Sequence, residues 1–200
     1  MKEEKISLLN FTCRIIKNEK EGIPVIFLHG YIFTSDVWNE INALKHLEKN
    51  NIPFIALDMP YGQKSICEPK SSDPEINVKI VEKIVKNRKP VIVGASIGGY
   101  IALKYSIKNP VLGLVLIAPV RSLEKEMIKH YPLNAKVLII YGEEDKIVSL
   151  KEMEKLVSLL KAKFVIYKNS GHPAYLSQPE KFKNDLLNFY KDLTSESLKN

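Results

Sequence analysis

The sequence predicts an α/β fold with a mostly parallel central sheet and helices on both faces. Three observations carry that expectation. Short apolar, β-branched runs alternate with stretches of helical spacing along the chain. Residues able to do chemistry fall just past the ends of several of those runs, as they do at the carboxyl edge of a parallel sheet. One run, Val91-Ile92-Val93, passes directly into Gly94-Ala95-Ser96-Ile97-Gly98 and then into a helical pattern. That is the strand–turn–helix context of a nucleophile elbow.

The elements follow in order. Residues 6–16 read as one or two leading strands, with a hairpin around Leu9-Asn10. Residues 24–28 form a buried strand ending at His29-Gly30, and residues 36–49 have helical spacing through Val37, Ile41, Leu44 and Leu47. A strand over 53–57 ends at Asp58, and a loop rich in Pro, Gly and Ser covers 59–72. Asp73 caps a helix over 73–87 with Pro74 at its first position. After the elbow come a helix over 97–108, a strand over 112–118, a short helical stretch over 122–130 and a strand over 135–141. A helix over 150–160, a strand over 163–167 and a final helix over 179–193 complete the chain. With no repeat, low-complexity tract or linker, residues 1–200 read as one domain.

Composition narrows the class. The 200 residues are 45% hydrophobic and 26% charged, ordinary globular material. The net charge is +7, but the lysines are scattered, and the densest stretch, 79–89, interleaves Glu82 and apolar positions as an amphipathic helix does. No nucleic-acid partner is expected. The longest apolar run, 111–120, is too short for a bilayer and contains Gly113 and Pro119, and no signal-peptide core follows Met1. The expectation is a cytoplasmic protein with no membrane association. Cys13 and Cys67 show no metal spacing or disulfide framework and read as two free thiols. No metal and no cofactor are implied.

Ser96 on its sharp turn needs small neighbours, which Gly94 and Gly98 supply. A serine hydroxyl also needs a base. Of four histidines, His172 stands just beyond a late strand, in Asn169-Ser170-Gly171-His172-Pro173. The base in turn needs a carboxylate. The strand over 135–141 ends in Gly142-Glu143-Glu144-Asp145, and Asp145 is the choice, with Glu144 as the fallback. A developing oxyanion would take the backbone N–H of Ile97 and that of Tyr31 after His29-Gly30. The chain order Ser96, Asp145, His172 is the nucleophile–acid–base order of one serine-hydrolase arrangement.

These residues resemble the α/β-hydrolase superfamily over the chain from about 24 to 190, through Phe27-Leu28-His29-Gly30, Gly94-Ala95-Ser96-Ile97-Gly98-Gly99, Tyr141-Gly142-Glu143-Glu144-Asp145 and Gly171-His172. The resemblance implies an α/β-hydrolase fold, with Ser96 as nucleophile, His172 as base, Asp145 as orienting acid, and Tyr31 and Ile97 as oxyanion donors. A narrower likeness runs through Phe33, Ser35 and Trp38, Ala118-Pro119 and the segment from Gly171 to Glu180. There the chain is similar to a small lidless group that includes a mammalian factor known for contacting the general transcription machinery. It departs from that group at the elbow, which is more irregular in those relatives.

The interval from Ser96 to Asp145 already holds a helix, a strand, a short helix and another strand, leaving no room for a cap domain. An open site is expected, its pocket lined by Ile32, Phe33, Trp38, Tyr100, Arg121 and Tyr175, with Arg121 as its fixed cation. Each of the apolar ones also fits a partly buried core position. The expected substrate is a small-molecule acyl ester or thioester, cleaved through an acyl-enzyme. The alternatives are an acyltransferase on the same three residues, or an interaction module that keeps the fold without catalysis.

Overall fold

The computed structural model describes the backbone of residues 1–197 and the side chains of residues 1–195. In chain order the elements are β1 (Lys2–Leu8), β2 (Phe11–Lys17), β3 (Val25–Leu28), α1 (Asp36–Glu40), α2 (Ala43–Lys49), β4 (Phe54–Leu57), β5 (Cys67–Glu68) and α3 (Pro74–Val85). There follow β6 (Val91–Ala95), α4 (Ile97–Lys108), β7 (Gly113–Ile117), α5 (Lys125–Ile128), β8 (Lys136–Gly142), α6 (Leu150–Leu160), β9 (Lys163–Tyr167), α7 (Ala174–Ser177) and α8 (Pro179–Ser197). Helices pack on both faces of one mixed, mostly parallel sheet, in the order β1-β2-β4-β3-β6-β7-β8-β9. β2 pairs antiparallel with β1, β4 and β5, and every other pairing is parallel. No cap domain intervenes between Ser96 and Asp145.

Strand alternation sorts the core into two layers. Ile26, Leu28, Ile92, Leu114, Leu116 and Ile139 face the layer covered by α3, α4 and α6. Val25, Phe27, Val91, Val93, Val115 and Ile140 face the layer covered by α1, α2 and α8. Because the central strands are buried on both faces, they read as continuous apolar runs. Asp73 caps α3 through the Glu75 amide at 2.8 Å. Ser149 and Glu152 form a capping box at the start of α6.

Five expectations change. The single helix over 36–49 is two, because Asn42 adopts a left-handed conformation (φ 57°) between them. The loop over 59–72 contributes β5, the helical stretch over 122–130 keeps only α5, and α7 is an added short helix. The two free thiols are also corrected. Cys13 and Cys67 stand directly opposite each other in the β2–β5 pair and form a disulfide. That pairing depends on a fold-back of the loop, which local spacing does not encode. No helix among the described residues is long and apolar enough to cross a membrane.

Candidate active site

β6 lies in the middle of the sheet and delivers Ser96 to its carboxyl edge. Ser96 has φ 53° and ψ −113°, outside the ordinary regions for a residue with a side chain. Such a conformation costs on the order of 1–3 kcal/mol and persists only when neighbours impose it. Here they do. The Ser96 amide donates to Ile117 O at 2.9 Å, and its carbonyl accepts from Tyr100 N at 3.2 Å and Val120 N at 3.4 Å. Gly98 makes the turn possible, since a Cβ there would lie 2.2 Å from the Leu28 carbonyl oxygen.

Asp145 and His172, the expected acid and base, follow the adjacent strands β8 and β9. After β8, the amides of Glu143 and Glu144 donate to Tyr167 O (3.0 Å) and Ser170 O (2.8 Å), tying this turn to the one after β9. The two turns approach so closely that a Cβ on Gly142 would lie 2.0 Å from Gly171 O. The Asp145 side chain is fully buried. Its Oδ1 accepts from the amides of Ile147 (2.7 Å) and Val148 (3.0 Å). Its Oδ2 accepts from His172 Nδ1 at 2.7 Å. His172 Nε2 then accepts from the Ser96 hydroxyl at 2.9 Å. Glu144, the fallback acid, is exposed.

The amides of Tyr31 and Ile97 have no acceptor among the described residues. Ile97 opens α4, where the first N–H groups lack intrahelical partners. Tyr31 is set by its neighbours. The buried imidazole of His29 donates from Nδ1 to Gly30 O at 2.7 Å and accepts the Met59 amide on Nε2 at 3.0 Å. Burial lowers the His29 pKa, so the ring stays neutral with its proton on Nδ1. The Gly30 carbonyl and the Tyr31 N–H share one planar trans peptide, so anchoring the first aims the second in the opposite direction. The Tyr61 hydroxyl donates to His29 O at 2.5 Å.

Below this loop lies a buried charge pair that the sequence did not point to. Arg14 Nε meets Asp58 Oδ2 at 3.1 Å, and Arg14 Nη2 meets Asp36 Oδ2 at 2.7 Å. Asp58 also accepts from the amides of Ser35 (2.7 Å) and Ile66 (2.8 Å). Burial opposes ionisation of Asp58, but bonds from Ser35, Arg14 and Ile66 outweigh it and hold its pKa below the ordinary range.

The residues expected to line the pocket divide. Tyr31 and Ile32 are exposed, 56% and 55%. Phe33 is half-buried, and Arg121 is exposed on the loop after β7. Trp38 and Tyr175 are corrected: both are fully buried, stacked with centroids 4.9 Å apart beside Phe27 and Phe182. They are core beneath the site. Tyr100 is nearly buried, its hydroxyl donating to Glu124 at 3.4 Å. Among the described residues no cluster of His, Cys, Asp and Glu could hold a metal ion.

The model of the alpha/beta hydrolase fold family matches residues 23–130, more than half of the chain. Human "Protein ABHD14A" is 27% identical over 181 residues, 88% of this chain and 67% of that protein. Human "Putative protein-lysine deacylase ABHD14B" is 25% identical over 176 residues, 84% of this chain and 83% of that protein. A crystal structure of a "predicted CIB-like hydrolase" from Thermoplasma acidophilum superposes with a TM-score of 0.84 at 24% identity, covering 96% of this chain and 98% of the other. In fold and in sequence, the chain belongs to the α/β hydrolase family.

Proposed function

We propose that the chain is a single-domain serine hydrolase that cleaves small acyl esters or thioesters through an acyl-enzyme. The observation that carries this reading is the unbroken hydrogen-bond chain from Ser96 Oγ through His172 to the buried Asp145. In this mechanism His172 Nε2 takes the Ser96 proton as Oγ attacks the acyl carbonyl. The oxyanion is held by the free amides of Tyr31 and Ile97. Asp145, fixed by two backbone amides, keeps the proton-bearing Nδ1 of His172 turned inward and stabilises the imidazolium. The imidazolium then protonates the departing alcohol or thiol. Water, activated by the same imidazole, releases the acid and restores Ser96.

Labelling by a serine-reactive fluorophosphonate tests the reading, together with cleavage of short p-nitrophenyl esters. Wild type should label and turn over, and Ser96→Ala should do neither. Wild-type protein that is neither labelled nor active would remove the proposal.

A second reading is supported by the uncapped site and by the name of one relative, "Putative protein-lysine deacylase ABHD14B". An open site admits an acyl group carried on a lysine of a protein surface, cleaved by the same steps with an amine leaving. Comparable kcat/KM on an acyl-lysine peptide and on the p-nitrophenyl ester of the same acyl group would favour it.

A further inference from the structure

Arg121 follows Ala118-Pro119-Val120 at the end of β7, and it is held more firmly than a surface arginine needs to be. Its backbone is left-handed (φ 55°), a conformation that a long side chain rarely adopts. Its guanidinium lies over the Tyr100 ring, 4.5 Å from the centroid. Its Nε donates to Glu124 Oε1 at 2.7 Å, and Glu124 Oε2 accepts from the Tyr100 hydroxyl. One face and one edge of the guanidinium are thus fixed. The remaining edge, Nη1 and Nη2, has no acceptor among the described residues.

Arg121 lines a groove of about 340 Å³ between the loops after β7 and β8, and on its Tyr100 side a second groove with Glu75, Lys104 and Glu126. The first groove is joined to the reacting residues on both sides. The Val120 amide donates to the Ser96 carbonyl, and the amides of Ile147 and Val148 hold Asp145 Oδ1. Its walls are apolar at Val120, Leu123, Ile147 and Val148. Its two carboxylates are engaged, Glu124 as above and Glu152 by the amide and hydroxyl of Ser149. Tyr100 lies one turn of α4 beyond Ser96, and the Val120 amide next to Arg121 bonds the Ser96 carbonyl, so Arg121 stands at the same edge of the sheet as the nucleophile.

We propose that Arg121 is an anion anchor that selects substrates carrying a carboxylate or phosphate a short chain away from the scissile carbonyl. An oriented guanidinium edge matches two oxygens of either group at once. The apolar walls then accommodate the short chain between anion and carbonyl. This proposal rests on the serine-hydrolase reading for its substrate class but not for the binding itself.

The test compares three esters: p-nitrophenyl pentanoate, mono-p-nitrophenyl glutarate with the carboxylate on the acyl side, and 3-carboxy-4-nitrophenyl pentanoate with it on the leaving group. The readout is the ratio of kcat/KM for each anionic ester to that for the neutral one, taken within each protein. At low salt wild type should favour one anionic ester by roughly tenfold or more, the size of a charge-assisted hydrogen bond. The ratio should fall with added salt, fall partway in Arg121→Lys and approach one in Arg121→Gln. A wild-type preference for the neutral ester over both, or a preference undiminished in Arg121→Gln, overturns the proposal. Titration with glutarate and with inorganic phosphate, followed by NMR, reads binding without turnover and distinguishes the two anions. If no ester is cleaved, the hydrolase reading fails. The anchor then stands if either anion binds wild type more tightly than Arg121→Gln, and falls if neither does.

Discussion

The imidazole of His29 at 2.7 Å and the Phe33 amide at 3.1 Å together hold the carbonyl of Gly30, and through it the direction of the next amide along the chain. On the proposed mechanism, His29 is therefore a positioning residue. His29→Ala should lower kcat by roughly 10²–10³, the size reported for loss of one oxyanion donor, with a smaller change in KM. Fluorophosphonate titration gives kcat per intact Ser96. An unchanged kcat per titrated site would mean that His29 serves the fold alone.

Asp145 bears on a second expectation. Asp145→Asn should reduce kcat by about 10⁴, because an amide facing Nδ1 favours the wrong tautomer. Glu144→Gln should leave kcat near wild type. The reverse pattern would move the acid role to Glu144.

Asp58 gives the pH dependence. Its folded-state pKa is depressed, so the stability it contributes is fully present above the ordinary carboxylate pKa of about 4. That contribution is lost as pH falls through the lower folded value. Denaturation curves of wild type should show stability dropping with acid below about pH 4. Asp58→Asn should start about 1.5–3 kcal/mol less stable at neutral pH, with Arg14 keeping its partly exposed partner Asp36, and should show a flatter acid limb. Parallel acid limbs for the two proteins would contradict the assignment.

Two glycines 29 positions apart in the chain make a matched pair for the loop contact. Gly142→Ala would force a Cβ to within 2.0 Å of Gly171 O, whereas a Cβ at Gly171 meets nothing within 4 Å. The first substitution should cost about 3 kcal/mol or more and lower kcat by separating acid from base. The second should stay within about 1 kcal/mol of wild type. Thermal unfolding with steady-state kinetics on both variants checks the contrast.

Trp38 is the chain's one tryptophan and is fully buried. Its fluorescence should shift to the red on unfolding. Trp38→Ala should cost about 3–5 kcal/mol while leaving KM for a short ester near wild type. A large KM change in a stable variant would return Trp38 to the pocket.

The central strands were legible because burial on both faces leaves an unbroken apolar run, as in Val91 to Val93 and Leu114 to Ile117. The elbow and the order of Ser96, Asp145 and His172 were legible because Ser96 and Asp145 fall just past such runs and His172 just past a shorter, partly exposed apolar stretch. What stayed hidden depends on contacts distant in sequence. The Cys13–Cys67 bond needs a loop to fold back as a strand. Arg14 reads as a strand-surface charge until Asp58 and Asp36 arrive from other elements. Trp38 and Tyr175 lie close to the site in sequence, and periodicity cannot tell a rim aromatic from one beneath the floor. The break at Asn42 depends on a single left-handed residue inside an otherwise helical pattern.

The close approach of Gly142 and Gly171 has a mechanical meaning. It couples Asp145 and His172 into one half, seated on β8 and β9, while Ser96 and the Tyr31 loop form another half on β3 and β6. Among the described residues β9 is the last strand of the sheet, and its outer row of backbone groups has no further strand to hold it. Edge elements open locally at lower free energy than central ones. Heating should therefore loosen the Asp145–His172 half while the Ser96 half is still folded. The temperature ceiling of turnover is then set by fraying at one margin, several degrees below the point where the core melts.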